Sequence, residues 1–115
     1  MLFRSLAGDA VLRDVVARIK PRVRQDEVLA RYGGEEFAVL LPESTAEEAY
    51  GFAERIRLVV SEQSIFVGAA EIPATVSIGV ATTDGKSDVE GTDLLAQADR
   101  KLYEAKLAGR NCVRA

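Results

Sequence analysis

The sequence predicts an α/β fold (an α+β sandwich), in which helices pack on a mostly antiparallel sheet. The first observation is a Gly-Gly pair between two apolar runs, residues 28–32 and 37–41, which is typical of a β-hairpin. The second is the helical spacing of apolar residues in three other stretches. The third is the segment at residues 74–81, where β-branched apolar residues alternate with small or polar ones, as in a strand. The predicted order is helix, hairpin, helix, strand, helix, strand.

The first two helices each show one apolar face. The first is predicted over residues 9–23, and Pro21 near its end is expected to terminate it. Its apolar residues are Val11, Leu12, Val15, Val16 and Ile19. The second helix can start with either of two capping boxes, formed by Ser44 with Glu47 or by Thr45 with Glu48. Its apolar residues are Ala49, Phe52, Ala53, Ile56 and Val60.

The third helix is expected to begin at a cap provided by Thr92 or Asp93 and to end before Gly109 as the C′ residue. Its inward residues are Leu94, Leu95, Ala98, Leu102 and Ala105. The remaining predicted segments are a short irregular strand, a polar loop and a last strand, at residues 65–70, 84–91 and 111–113. No strand precedes the first helix in this prediction. We therefore expect a sheet that lacks its first strand and has the hairpin in its middle.

Composition indicates one soluble globular domain, with 115 residues of which 48% are hydrophobic. No apolar stretch is long enough to span a membrane, so we expect no membrane contact by this segment. A net charge of −3 argues against a nucleic-acid partner. The single cysteine, Cys112, excludes an internal disulfide, is expected to be buried and fits a cytoplasmic location. The absence of histidine excludes imidazole acid–base chemistry and His-rich zinc sites.

The segment that points most directly to chemistry is the hairpin tip, formed by Gly33, Gly34, Glu35 and Glu36. Glycine reaches positive φ without steric cost and lets the backbone approach a ligand closely. The tip can therefore direct peptide N–H groups at a phosphate while its acids hold a divalent cation. Alternation places Glu35 and Glu36 on opposite faces, so a single ion does not use both. A solvated tip without a function fits these residues equally well.

Lys106 and Arg110 lie four residues apart at the predicted end of the third helix. Cations there offset the helix dipole and cap free carbonyl groups, and the residues alone favour this structural role. The alternative is a phosphate clamp, in which Lys acts as a point charge and Arg as a fork. Asp9 has an equally simple explanation as a first-turn acid. Phe52 and Tyr103 lie at helical spacing and are predicted to be core residues.

Taken together, four segments resemble the motifs of the GGDEF family of diguanylate cyclases. They read AGDAVL from residue 7, ARYGGEEF from residue 30, TVSIGVA from residue 75 and ADRKLYEAKLAGRN from residue 98. The second is similar to the signature hairpin of the family in its GGEEF form. Four motifs in the right order are highly specific, and the resemblance covers residues 6–113. It implies a nucleotide-cyclase, ferredoxin-like palm with flanking helices.

The resemblance implies a diguanylate cyclase, which condenses two GTP into cyclic di-GMP and releases pyrophosphate. It further implies a homodimer, because each of two copies presents one GTP and a lone copy supplies half a site. The implied cofactor is Mg²⁺ or Mn²⁺. An upstream sensory or receiver domain is the other implied partner, and the parent protein could be anchored to a membrane through an upstream segment.

The resemblance also assigns roles to the residues of the hairpin tip. Glu35 is implied to be a metal ligand that helps to deprotonate the attacking hydroxyl. Glu36 is implied to be the second signature acid, which activity requires. Gly33 and Gly34 are implied to let the backbone approach the phosphates.

Outside the tip, the resemblance implies that three further residues bind the nucleotide itself. Lys106 and Arg110 are implied to bind the β- and γ-phosphates, which reverses the structural role that the residues alone favour. Asp9 is implied to accept hydrogen bonds from the guanine edge and so to select GTP over ATP.

The start of the chain departs from the family. Family members begin with a strand that carries a metal-binding Asp, and an Asn that reads guanine follows. Here residues 1–6 read MLFRSL and offer neither. Residues 2–5 also match what a common sequencing-adapter tail encodes. We therefore expect residues 1–5 to be a non-native start, residues 6–115 to be a GGDEF domain without its first strand, and the fragment to be inactive by itself.

A second departure concerns the product-inhibition site of the family, an R-x-x-D motif upstream of the hairpin. Arg24 and Glu27 stand at its two positions, with Asp26 one place early. The longer acid is expected to weaken product binding. The alternative to an enzyme is a non-catalytic regulatory module that binds GTP or cyclic di-GMP.

Overall fold

A computed structural model of the chain describes residues 2–4, 9–33, 36–83 and 91–115. Its helices are α1 (Asp9–Ile19), α2 (Ala46–Ser61) and α3 (Gly91–Leu107). A single 3₁₀ turn, Lys20–Arg22, follows α1. The strands are β1 (Leu2–Arg4), β2 (Val28–Arg31), β3 (Glu36–Leu40), β4 (Ile65–Val67), β5 (Ala70–Ile72), β6 (Ser77–Gly79) and β7 (Val113–Arg114). None of the helices in these ranges is long and apolar enough to cross a membrane.

The main sheet has five strands in the order β2-β3-β1-β6-β7. Its neighbours are antiparallel except for β6 and β7, so the predicted mostly antiparallel sheet is confirmed. The expectation of a missing first strand is wrong, because Leu2–Arg4 pairs with both β3 and β6. This strand takes the middle position and moves the hairpin to one side of the sheet, where β2 is the outermost strand.

The register of the sheet brings several chain segments to one edge, here called the site edge. Arg4, the last residue of β1, lies opposite both Glu36 and Ser77, the first residues of β3 and β6. β7 runs parallel to β6, and the Ile78 amide donates to the Cys112 carbonyl at 3.0 Å. The hairpin tip and the turn from α3 into β7 therefore lie along the same edge.

α1 and α2 cover one face of the sheet and α3 covers the other. All five predicted face residues of α2 are buried, as are those of α1 apart from Val16, which is half-buried. Both faces of β6 are buried, because Ile78 packs under α1 and α2 while α3 lies on the opposite side. In α3, Ala98, Leu102 and Ala105 are buried, whereas Leu94 and Leu95 are half-buried.

Several helix boundaries differ from the prediction. α1 ends at Ile19, two residues before Pro21, because the chain tightens into the 3₁₀ turn. α2 begins with the capping box of Thr45 and Glu48, so the structure chooses between the two alternatives. α3 begins at Gly91, so the two predicted cap residues, Thr92 and Asp93, lie inside the helix.

Residues 65–72 form a small hairpin of β4 and β5 rather than the one irregular strand that was predicted. Its turn includes Gly68, which has a φ of 61°. This hairpin has no clear signal in the sequence, because each strand has only three residues, too few to show alternation.

Candidate functional site

The described residues on both sides of the hairpin tip are joined by hydrogen bonds at the site edge. The amides of Tyr32 and Gly33 both donate to the Glu36 carbonyl, at 2.9 and 3.2 Å, and Arg31 Nε donates to the Gly33 carbonyl at 3.2 Å. A Cβ on Gly33 would meet nothing closer than Glu36 Cβ at 3.8 Å, and Gly33 has no positive φ. The expected left-handed glycine is therefore not Gly33. Gly34 and Glu35 lie outside the described residues.

Glu36 is the first residue of β3, and its side chain is half-buried. Asp9 is the first residue of α1, and its side chain is outside the described part of the chain. A five-residue step separates Asp9 from Arg4, which limits their Cα separation to about 17 Å.

The C-terminal end of α3 is capped by backbone groups. The Gly109 amide donates to the Lys106 carbonyl at 3.3 Å, and the Arg110 amide donates to the Ala105 carbonyl at 3.0 Å. Gly109 has a φ of 109°, as predicted for the C′ residue of a Schellman motif. The half-buried Cys112 donates its thiol to the same Ala105 carbonyl at 3.3 Å, so the expectation of full burial is wrong.

This capping changes how the two cations are interpreted. Lys106 is half-buried and Arg110 is exposed, and neither side chain hydrogen-bonds to any residue in the described ranges. The last carbonyls of α3 accept from the backbone and from Cys112 instead. Carbonyl capping therefore does not account for the two cations, although their interaction with the helix dipole remains.

The turn after α3 is joined to α2 by one arginine. Arg57 donates through Nε and Nη2 to the two carboxylate oxygens of Glu54, at 3.0 and 2.9 Å, and through Nη1 to Asn111 Oδ1 at 3.3 Å. The hydrogen bonds between Glu54 and Arg57 lower the pKa of Glu54 and raise the pKa of Arg57. Arg57 is a residue that sequence reasoning missed, because its partner Asn111 is 54 positions away.

Tyr103, which was predicted to be a core residue, is 62% exposed on α3, so that prediction is wrong. Phe52, the other aromatic residue predicted to be in the core, is buried on α2. The difference arises because Tyr103 directly follows the buried Leu102 and therefore lies on another face of its helix.

In the ranges that the structure covers, no three Asp, Glu, Cys or His residues come together as a metal site. Glu35, the expected ligand, lies outside those ranges. The chemistry of its carboxylate fits a hard cation such as Mg²⁺, which prefers oxygen ligands.

Arg24 and Glu27 line a cavity of about 610 Å³ at the other end of the hairpin from its tip. Glu27 closes the turn before β2, because its Oε1 accepts from the Arg24 amide at 2.7 Å. Arg55 of α2 lines the same cavity and was missed by the sequence analysis. A usable signal was Gly51, which lies one turn earlier on the same helix face and leaves room for the guanidinium.

Comparison with known proteins identifies the family. The family described as "Diguanylate cyclase, GGDEF domain" matches residues 5–112. The chain is 43% identical over 108 residues to the response regulator PleD of Caulobacter vibrioides, a match that covers 92% of this chain and 24% of that protein. It is 44% identical over 108 residues to diguanylate cyclase A of Treponema denticola, covering 93% of this chain and 29% of that protein. The chain thus spans 24% and 29% of the length of these two curated relatives.

A solved structure supports the same assignment. The chain superposes on the crystal structure of the GGDEF domain of DgcB from Caulobacter crescentus in complex with c-di-GMP, with a TM-score of 0.87. The sequences are 30% identical, and the match covers 99% of this chain and 74% of that one. The predicted fold class is confirmed.

Proposed function

Because this chain belongs to the GGDEF domain family of diguanylate cyclases, we propose that it is the GTP-condensing domain of such an enzyme. Two copies would each present one GTP, and each 3′-hydroxyl would attack the α-phosphorus of the other nucleotide. Two new phosphodiester bonds form, both α–β phosphate bonds break, and two pyrophosphates leave with cyclic di-GMP. The observation that carries this proposal is that the hairpin tip shares the site edge with the Lys106–Arg110 turn.

Two cations at the end of α3 provide the triphosphate contacts in this proposal. Lys106 and Arg110 bind the β- and γ-phosphates. Their side chains make no hydrogen bond to the described residues, and the turn after α3 lies at the site edge, as the hairpin tip does. Gly33 and Gly34 let the backbone approach the phosphates, and the space beside Gly33 supports this role. Asp9 accepts hydrogen bonds from guanine, which selects GTP over ATP.

The acids of the tip perform the remaining chemistry. Glu35 holds Mg²⁺ or Mn²⁺ and helps to deprotonate the 3′-hydroxyl, and Glu36 is the second signature acid. Such an ion neutralises the charge of the phosphates when it is bound. β1 reads LFR and brings no carboxylate to the neighbouring strand, so this chain by itself is expected to turn over little GTP.

The partners follow from the reaction. A second copy of the domain completes the two-fold site. An upstream sensory or receiver domain would control how the two copies meet, and the relative PleD is named a response regulator. The proposed location is the cytoplasm, and the parent protein could be anchored in the membrane through an upstream segment.

A second candidate function is a non-catalytic module that binds GTP or cyclic di-GMP. The cavity lined by Arg24, Glu27 and Arg55 favours it, because two guanidinium groups can bind an anionic nucleotide. The same cavity is the proposed product-inhibition site of an active parent. Glu27 already accepts from the Arg24 amide, so cyclic di-GMP is expected to bind weakly there. Calorimetry with cyclic di-GMP tests this, and tight binding would contradict the expected weakness.

The enzyme proposal is tested by adding GTP and MgCl₂ to the chain and measuring both binding and cyclic di-GMP. We expect GTP binding with little product. Lys106→Ala and Arg110→Ala should each weaken GTP binding about tenfold but leave GMP binding unchanged, because each removes a charged hydrogen bond to the outer phosphates. The matched control is Lys101→Ala, which removes another α3 lysine whose ion pair with Glu104 is on the surface. Absence of GTP binding, or an equal loss of GMP binding, would contradict the proposal.

A further inference from the structure

Arg57 has a contact pattern that the proposed reaction does not by itself explain. Its side chain is only 19% exposed, and all three of its hydrogen bonds go to side chains. Glu54, three residues earlier on α2, takes Nε and Nη2 as a fork. The remaining Nη1 therefore donates to Asn111, which lies 54 positions away in the sequence. A guanidinium fixed by one partner is a rigid donor for the next.

The segment that Arg57 reaches has an unfavourable backbone. Arg110 and Asn111 have φ values of 64° and 44°, the left-handed region that residues with a Cβ rarely adopt. Asparagine tolerates this region better than arginine does. Two such residues in succession persist only where the surroundings hold them. These residues are stabilised by the hydrogen bond from the Arg110 amide to the Ala105 carbonyl and by the hydrogen bond from Arg57 Nη1 to Asn111 Oδ1.

We propose that Arg57 is a positioning residue for Arg110. Glu54 orients Arg57, Arg57 holds the Asn111 side chain, and the turn then directs Arg110 along the site edge toward the triphosphate. This inference rests on the proposed function, which assigns Arg110 to the outer phosphates. Lysine cannot replace Arg57, because a single ammonium does not bridge Glu54 and Asn111 with the same geometry.

The first test compares GTP with GMP binding in the full chain carrying Arg57→Lys. We expect GTP, with Mg²⁺ present, to bind about fivefold more weakly, the effect of losing about one hydrogen bond, and GMP to bind as before. Arg18→Lys is the matched control, because Arg18 joins α1 to the carbonyls of Gln63 and Ser64, which belong to neither the hairpin tip nor the turn after α3. Arg18→Lys should lower the melting temperature, and any change in affinity should be the same for GTP and GMP. An equal loss of GTP and GMP in Arg57→Lys would overturn the proposal.

The second test asks whether Arg57 acts through Arg110. In an Arg110→Ala background, Arg57→Lys should cause no further loss of GTP affinity. Asn111→Gly keeps the left-handed backbone but removes Oδ1, so it should match Arg57→Lys. Losses that multiply in the double variant, or normal GTP binding by Asn111→Gly, would overturn the proposal.

A third measurement needs no nucleotide. Hydrogen exchange of the Gly109, Arg110 and Asn111 amides should become faster in Arg57→Lys, while the amides of α1 keep their wild-type protection. If the unmodified chain binds GTP but Arg57→Lys leaves the exchange of these three amides unchanged, the positioning role of Arg57 is overturned and the proposed function is not. Failure of the unmodified chain to bind GTP would instead overturn the proposed function, and this role for Arg57 with it.

Discussion

The middle of α3 and its C-terminal end are held in place by different forces. The middle packs against β6, where Gly79 lets the helix backbone approach the strand so closely that a Cβ would overlap the Ala98 carbonyl and the Leu102 amide. The end is held by hydrogen bonds and left-handed residues, with Arg110 exposed to solvent. Substitutions in the middle should therefore affect whether the chain folds, and substitutions at the end should affect what it binds.

Among the glycines that the structure describes, Gly79 should lose the most stability when it is replaced by alanine. The added Cβ meets helix backbone, including Leu102 Cα at 2.9 Å, which cannot move aside like a flexible side chain. We expect a loss of about 3 kcal/mol or more in the free energy of unfolding, measured by urea denaturation. Gly51→Ala is the control, because its Cβ would lie 3.6 Å from a mobile guanidinium and should leave stability equal or slightly higher. Equal stability of Gly79→Ala and the wild type would refute the packing argument.

Gly109→Ala should reduce stability less than Gly79→Ala does, and it should measurably weaken the binding of GTP. Alanine at a φ of 109° is strained, at a cost of about 1 to 2 kcal/mol. Because the strain lies in the turn that carries Arg110, GTP should bind more weakly and GMP should not. Gly91→Ala is the control, since a Cβ there meets nothing within 4 Å and its φ is not positive. A stability loss in Gly109→Ala without any change in GTP binding would show that the conformation of this turn does not affect nucleotide binding.

The smallest expected effect is the pH dependence of the Glu54–Arg57 pair. The hydrogen bonds from Arg57 lower the pKa of Glu54 in the folded chain, so the pair stabilises the fold at neutral pH. This contribution, about 1 kcal/mol or less, is lost as the pH falls from the ordinary glutamate pKa of 4.5 down through the lowered pKa of Glu54. Glu54→Gln should remove that part of the acid sensitivity in urea denaturation measured from pH 7 to pH 3. An unchanged pH profile would show that the pair does not stabilise the folded state.

The predicted faces of α1 and α2 were confirmed because an amphipathic pattern is a local property. Val15 and Ile56, for example, are fully buried where the spacing placed them. The prediction failed for segments too short to show a period, such as the three residues of β1. It also failed for Tyr103, since helical spacing alone does not tell how wide the covered face of a helix is.

The sequence by itself determined the family, the hairpin, the faces of α1 and α2 and the glycine that ends α3, because each depends on neighbouring residues. Only the tertiary structure decided that β1 occupies the middle of the sheet and that Arg57 reaches Asn111. Both involve pairing between segments far apart in the chain, and such pairing depends on strand register and helix packing. The shared edge of the hairpin tip and the Arg110 turn follows from that same register.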